Sequence, residues 1–269
     1  MTTMPDIALL DGDLMAYKAA CFADKEGPEE LEARLRFDVK LWTPSEVSRT
    51  MVAFSPSRKD NYRRDFWPQY KAHRDGKPSP QYLPLAIQIL KDNFESVMRP
   101  RIEADDILGM GMSSGQAIAV TLDKDLRSCP GWLWNPEKQG FPELISVEEA
   151  DRWFHRQWLT GDSTDRIPGI HRMGDKGAQK LLDSTRKENW TSMVMAFYQD
   201  SANDVVSWRT KDSSKRGTRA EHLAETYGWE TGQCEEYCLA QARCVRILRD
   251  GEWDKVGEVP ILFQPNAGF

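Results

Sequence analysis

The sequence predicts an α/β fold, a mostly parallel twisted sheet with flanking helices, followed by a helical C-terminal part. Three observations carry this. Short apolar runs at residues 7–10, 51–54 and 117–122 alternate with longer stretches whose apolar residues recur at helical spacing. Close acid pairs, Asp11 with Asp13 and Asp123 with Asp125, follow two of those runs at once, as expected where strands end in a ligand-binding crevice. Beyond residue 161 the helical spacing continues with no further strand pattern, so the division falls at 1–160 and 161–269.

Taken in order, residues 7–10 form a strand, Asp11-Gly12-Asp13 a tight turn, and residues 14–22 a helix. Residues 28–39 read as a helix with one charged side, although 35–42 could equally be extended. Residues 51–54 are a second strand, closed by Ser55 and Pro56. A helix entered through prolines spans 79–94, with Leu83, Ile87 and Leu90 on one side, and Val97 and Met98 lie in a short strand. A helix starts near Ala104 and a strand covers 117–122, followed by the stretches 132–135 and 143–145. Ser146 and Glu149 have the spacing of a capping box, which predicts a helix over 147–159. Two glycine-bounded segments then lead into a helix that begins near Gly174. Residues 188–248 read as several helices broken by a mobile basic loop at 209–219, and the end of the chain reads as a tail.

At 269 residues, 40% hydrophobic and 29% charged, the chain suits one α/β domain with a smaller helical partner. No apolar run approaches the ~18 to 20 residues that span a bilayer, and no basic-then-apolar leader opens the sequence. The expected location is the cytoplasm. Five cysteines, an odd number without CxxC spacing, argue against a disulfide framework. Cys234, Cys238 and Cys244 with His222 could form a zinc site, but their spacing suits helix faces better. The net charge of −6 hides basic patches: residues 56–77 carry +4, 170–187 carry +3 and 209–219 carry +4. Local patches set the field that a phosphate backbone meets.

Glu103, Asp105 and Asp106 crowd the start of an otherwise apolar helix. The helix dipole favours acids there by only ~0.3 to 1 kcal/mol each, so charge decoration and a binding role are both open. Further acid pairs, including Asp162 with Asp165, favour binding, because hard divalent cations take several anionic oxygen ligands. Residues 61–74 interleave Tyr62, Phe66, Trp67 and Tyr70 with basic residues. That pattern suits single-stranded nucleic acid held by stacking and phosphate contact, or a half-buried helix with a solvated basic face. At 174–180, Gly174, Lys176, Gly177 and Lys180 suit a helix start whose amides hold phosphate, or a plain helical hairpin.

The ordered motifs LLDGD at 9–13, YRRDFWPQYKAHR at 62–74, EADDILG at 103–109, LDKDL at 122–126, GDSTDRIPGI at 161–170 and GDKGAQKLL at 174–182 resemble the flap endonuclease and 5'-3' exonuclease superfamily. The nearest likeness is to phage-encoded exonucleases and the 5' nuclease domain of bacterial DNA polymerase I. The resemblance covers residues 8–182 and implies a PIN/5' nuclease-like core with a basic arch at about 56–94, then a helix-three-turn-helix motif at about 161–183. It implies a structure-dependent 5'-3' exonuclease or flap endonuclease that hydrolyses DNA, and RNA primers, by a two-metal mechanism in phage replication or recombination. Asp11, Glu103, Asp105 and Asp106 would belong to one part of the metal centre, and Asp123, Asp125, Asp162 and Asp165 to the other. The cofactors implied are two magnesium ions, replaceable by manganese, with potassium at the helix-three-turn-helix. Lys71 and Arg74 match the catalytic basic pair near the scissile phosphate. Arg63, Arg64, Tyr70, Gly174, Lys176 and Lys180 are expected to bind DNA. Partners would be double-stranded DNA with 5' ends, nicks or flaps, and RNA–DNA hybrid; no membrane is expected, and the protein would be a monomer.

Ser55 stands where the family usually has an aspartate, with Asp60 the nearest acid, and Asp13 stands where relatives are often uncharged. Arg166 and Gly177 depart from the common asparagine and threonine. The rival readings are a PIN-type ribonuclease, which lacks the 161–182 stretch, a non-catalytic binder of branched or nicked DNA, and an acidic helical interaction protein.

Overall fold

The computed structural model describes residues 3–57, 59–210, 213–229 and 234–265. Its elements begin with β1 (Ile7–Asp11), α1 (Gly12–Glu26), α2 (Leu31–Leu41), β2 (Arg49–Phe54), α3 (Arg63–Phe66), α4 (Leu83–Asn93), β3 (Glu95–Met98) and α5 (Ala104–Ser113). β4 (Ile118–Val120), β5 (Gly131–Trp134), β6 (Glu143–Ile145), α6 (Val147–Thr160), α7 (Asp175–Ser184) and α8 (Trp190–Ser201) follow. The chain ends with β7 (Val205–Arg209), β8 (Ser214–Thr218), α9 (Arg219–Tyr227), α10 (Cys234–Val245), β9 (Trp253–Asp254) and β10 (Val259–Pro260). Among the described residues no helix is long and apolar enough to cross a membrane.

Contacts divide the chain into two compact units. The first is Met1–Tyr62, Gly76–Asp151 and Ile247–Ile261; the second is Arg63–Asp75, Arg152–Arg246 and Leu262–Phe269. This differs from the division expected at residue 160. Residues 247–261, which span the end of the expected helices and the start of the expected tail, belong to the first unit: the Leu248 N–H donates to Asp106 Oδ1 at 3.1 Å, and Arg249 pairs with Asp151. Two bonds from α5 and α6 thus override the Pro- and Gly-rich composition.

The first unit is built on a six-stranded sheet in the order β3-β2-β1-β4-β5-β6. All neighbours are parallel except the β5–β6 pair. β1 reads as a continuous apolar run because both of its faces are covered, as parallel strands require. Leu10 packs with Val52, Phe54, Ile118 and Val120 against Ala16, Ala19, Ala20, Leu35 and Leu90, while Leu9 faces Gly111 of α5. Gly12 opens α1 because any larger residue would collide with β2: a Cβ there would sit 2.5 Å from Val52 Cγ1 and 2.7 Å from the Ala53 carbonyl oxygen. α2 buries Leu31, Leu35 and Val39 four residues apart; its helical form settles the ambiguity over 35–42.

The second unit packs an aromatic core from α3, α6, α8 and α10, including Trp67, Phe154, Trp158, Trp190, Tyr198 and Tyr237. Two of its buried polar groups bond to backbone: Trp158 Nε1 donates to the Cys238 carbonyl at 2.9 Å and the Tyr198 hydroxyl to the Trp158 carbonyl at 2.7 Å. Between α6 and α7 the chain makes a succession of turns. Gly161 and Gly169 both adopt positive φ, 69° and 62°, and a Cβ on Gly169 would lie 2.3 Å from the Gly161 nitrogen. Glycine is needed at both, since two backbones meet there. The basic stretch at 209–219, expected as a mobile loop, instead contributes to an antiparallel hairpin of β7 and β8; Lys211 and Asp212 lie outside the described residues.

Candidate active site

The sheet order changes direction at β1. The chain moves outward to β2 and β3, then crosses to β4 and β5 on the other side. Ligands of open α/β sheets bind beyond the carboxyl ends of the strands at such a reversal. The sequence places its acids at this point: Asp11 ends β1, Asp13 lies in the first turn of α1, and Asp123 and Asp125 follow β4. Hydrogen bonds tie these ends together. Asp11 Oδ1 accepts from the Leu14 N–H at 3.0 Å and Oδ2 from the Thr121 hydroxyl at 2.8 Å; Thr121 in turn accepts from the Asp123 N–H at 3.1 Å. Asp123 Oδ1 accepts from the Asp125 N–H at 2.8 Å. On the β2 side, Asp13 Oδ2 accepts from the Ser55 N–H at 3.0 Å, and the Ser55 hydroxyl accepts from the Ala104 N–H at 2.9 Å.

Asp11 is 6% exposed. Burial pushes its carboxyl up to about 6, against the opposing hydrogen bonds, and the nearby charges of Asp13 and Asp123 add to the rise. This is the electrostatic condition that a divalent cation relieves, and the donors are the hard oxygens that magnesium takes. The carboxylates are not a finished cage: among the described residues no group of three or more Asp, Glu, His or Cys side chains is placed to hold an ion. Cys234, Cys238 and Cys244, read as possible zinc ligands, are carried on α10.

At the start of α5, Glu103 and Asp106 form a capping box. Asp106 is fully buried, and its two oxygens accept the backbone N–H groups of Glu103 at 3.0 Å and Leu248 at 3.1 Å. Its place is therefore structural as well as acidic, and the helix-cap reading holds for this pair. Asp105 and Glu103 are partly exposed. Asp60 does not stand in for an aspartate at Ser55; it lies 3.8 Å from Arg101 on the surface. Asp13 is the acid brought to that strand end.

In the second unit, Lys71 and Arg74 come together on one acid. Arg74 Nη2 lies 3.0 Å from Asp165 Oδ1 and Lys71 Nζ 3.5 Å from Asp165 Oδ2, while the Lys71 N–H donates to the Asp165 carbonyl. Lys71 itself is held at positive φ, 51°. Asp162 turns its carboxylate onto the Thr164 N–H at 2.7 Å. Gly174, Lys176 and Lys180 are exposed at and along α7, with Gly174 as its N-cap.

Two expected DNA contacts are corrected. Arg63 is 2% exposed and donates to the carbonyls of Cys244 and Arg246 at 3.1 and 2.6 Å. Tyr70 is 3% exposed in the aromatic core, with Arg63 5.7 Å from its ring centroid. Neither presents a surface to nucleic acid, and Trp67, fully buried, and Tyr62 are equally withdrawn from stacking. Arg64 is half-way between, paired with Asp75 through two bonds of 2.9 Å. The sequence reading underweighted Asp13 and missed Thr121. A β-branched hydroxyl residue at the end of an apolar run, two residues before an acid, was the available signal for Thr121.

The class that these features define is given by a family model for the 5'-3' exonuclease, N-terminal resolvase-like domain, which matches residues 6–130. The match to this family model agrees with the resemblance to the flap endonuclease and 5'-3' exonuclease superfamily. Among individual proteins, the chain is similar to the exonuclease of Escherichia phage T7, 26% identical over 290 aligned residues that cover 96% of this chain and 93% of that one. It is 29% identical over 143 residues to the flap endonuclease Xni of Shewanella baltica, covering 47% of this chain and 54% of that protein. Its fold is like that of the phage T5 D15 protein co-crystallised with metal ions, with a TM-score of 0.57, 13% identity, and coverage of 89% and 88% of the two chains.

Proposed function

We propose that this chain is a divalent-cation-dependent 5'-3' exonuclease and flap endonuclease that hydrolyses DNA phosphodiesters. The observation that carries the proposal is the crowding of carboxylates at the ends of β1 and β4, with Asp11 buried and pushed up to about 6 beside Asp13 and Asp123. Asp11, Asp123 and Asp125, with Glu103 and Asp105, are the residues of this unit that would hold magnesium; Asp13 supplies the carboxylate that Ser55 lacks. Two such ions supply, when bound, a lowered pKa for water and stabilisation of the leaving oxygen in an in-line displacement.

The protein's own groups do the rest. Thr121 and the Leu14 amide fix both oxygens of Asp11, so its orientation is set before a ligand arrives. Asp106 anchors the start of α5 and so positions Glu103 and Asp105. Lys71 and Arg74, which Asp165 aligns side by side, stabilise charge that builds on the phosphate oxygens. Asp162 and Asp165, in the second unit, are further oxygen donors of the kind that a divalent cation takes. The amides of the α7 N-terminus, with Lys176 and Lys180, hold duplex phosphates, and potassium on the carbonyls of the preceding turns belongs to the same reading. The substrate is double-stranded DNA with a 5' end, nick or flap, and RNA–DNA hybrid. The product carries a 5'-phosphate: water adds to phosphorus, and the bond to the 3' oxygen breaks. The protein acts as a monomer in the host cytoplasm.

The test is release of label from a 5'-labelled duplex. Release should require magnesium and be lost in Asp123→Asn and Asp125→Asn while duplex binding survives. Binding without release in the wild type would favour the non-catalytic binder instead.

A further inference from the structure

The β7–β8 hairpin lies outside the residues that the proposed reaction uses. Its register, Val205 opposite Thr218, Ser207 opposite Arg216, Trp208 opposite Lys215 and Arg209 opposite Ser214, sorts its side chains onto two faces. Side chains alternate along a strand and paired positions share a face. One face holds Val206, Trp208, Lys215 and Gly217. It packs on α9: Val206 is buried, Trp208 lies 5.1 Å from the His222 ring, Trp208 Nε1 donates to Glu225 at 3.2 Å, and Lys215 pairs with the same carboxylate. The charge of Lys215 is thereby used.

The opposite face carries Ser207, Arg209, Ser214 and Arg216, all exposed, with Val205 and Thr218 at its foot, and no acid among the described positions of the ribbon. Neither Arg209 nor Arg216 has an ion pair among the described residues. As diagonal neighbours across the two strands, they stand ~7 to 8 Å apart, about two nucleotide steps of axial rise along one DNA strand. A two-stranded ribbon also has the width that the major groove admits. The foot of the hairpin adjoins the turns before α7: both Arg172, from those turns, and Arg219, which follows Thr218, act on His171 and hold its pKa below the usual value, after burial as the larger cause. Asp204 opposes them there and Arg219 is buried, so Arg172 is the exposed cation of this group.

We propose that the outer face of the β7–β8 ribbon is a second duplex-DNA contact, in which Arg209 and Arg216 each neutralise one backbone phosphate and the two serines hydrogen-bond beside them. It rests on the reading of the chain as a DNA nuclease, but it concerns affinity and not the chemical step. The ribbon reads charge, not sequence.

The experiment is equilibrium binding of a fluorescent nicked duplex to the full-length chain, in EDTA so that cleavage does not intervene, over a salt titration. Arg209→Ala with Arg216→Ala should reduce the slope of log affinity against log salt by about 1.8, two phosphates at about 0.9 each. Between 50 and 200 mM salt the wild type should then lose about twelvefold more affinity than the double variant. Arg209→Lys with Arg216→Lys should keep the wild-type slope, which a purely structural role for the ribbon would not predict. Sequence changes in the duplex should leave all three orders unchanged. An unaltered slope in the alanine variant, with its circular dichroism intact, would overturn the proposal and leave the ribbon to a partner other than nucleic acid. A wild type that binds no duplex would overturn the nuclease reading and this inference with it, whereas failure of the ribbon alone leaves duplex binding in place.

Discussion

Replacing Asp11 with asparagine isolates the electrostatic condition at the β1 end. Asp11 is buried and its carboxyl titrates near 6 in the folded chain, against 3.8 ordinarily. Below about pH 4 the group is protonated in both folded and unfolded states and imposes no charge penalty. As pH rises through 6 the folded state must give up a proton that it holds more tightly than the unfolded chain does, so stability falls. The difference of about 2.2 pKa corresponds to roughly 3 kcal/mol lost by pH 7. Asparagine avoids that loss, but its amide nitrogen cannot accept a hydrogen bond, so one of the two bonds from Leu14 and Thr121 is disturbed, at a cost of about 1 to 2 kcal/mol. In metal-free buffer, urea unfolding of the two proteins should therefore show the wild type the more stable at pH 4. Asp11→Asn should be equal or more stable at pH 7.5, with a change of about 3 kcal/mol between the two curves. Because only the difference is read, titration of carboxylates distant from Asp11 cancels, and what remains is Asp11 together with its neighbours Asp13 and Asp123. Parallel curves across pH 4 to 7.5 would refute the reasoning, since Asp11 would then carry no strained charge.

Two further substitutions separate scaffold from site. Asp106→Ala removes the acceptor for the buried amide of Leu248 and the partly buried amide of Glu103, and should destabilise the protein by about 2 to 4 kcal/mol, read as a lowered urea midpoint. Arg63→Ala, whose guanidinium serves the carbonyls of Cys244 and Arg246, should lower the melting temperature by several degrees. The salt slope of DNA binding should stay unchanged; a reduced slope would restore Arg63 as a phosphate contact.

What the sequence made legible was local. The apolar run at β1 and the acids behind it predict a buried parallel strand with its ligand end, and Ser146 with Glu149 predict the start of α6, where the Glu149 N–H and the Ser146 hydroxyl do meet at 3.2 Å. What stayed hidden depends on partners far along the chain. Arg63 and Tyr70 look like a nucleic-acid surface until the carbonyls of 244 and 246 and the core around Trp67 are in place. In the β7–β8 hairpin, β8, Ser-Lys-Arg-Gly-Thr, has little strand propensity of its own, and pairing with β7, packed on α9 through Val206 and Trp208, decides its form. The role of Asp106 is set by a bond to Leu248, 142 residues away.

The central claim is that the carboxylates at the ends of β1 and β4 form one divalent-cation site. Manganese titration followed by electron paramagnetic resonance addresses it directly. The wild type should bind the ion, and Asp11→Asn and Asp123→Asn should each weaken that binding at least tenfold while remaining folded. Equal manganese affinity and stoichiometry in all three proteins would contradict the claim.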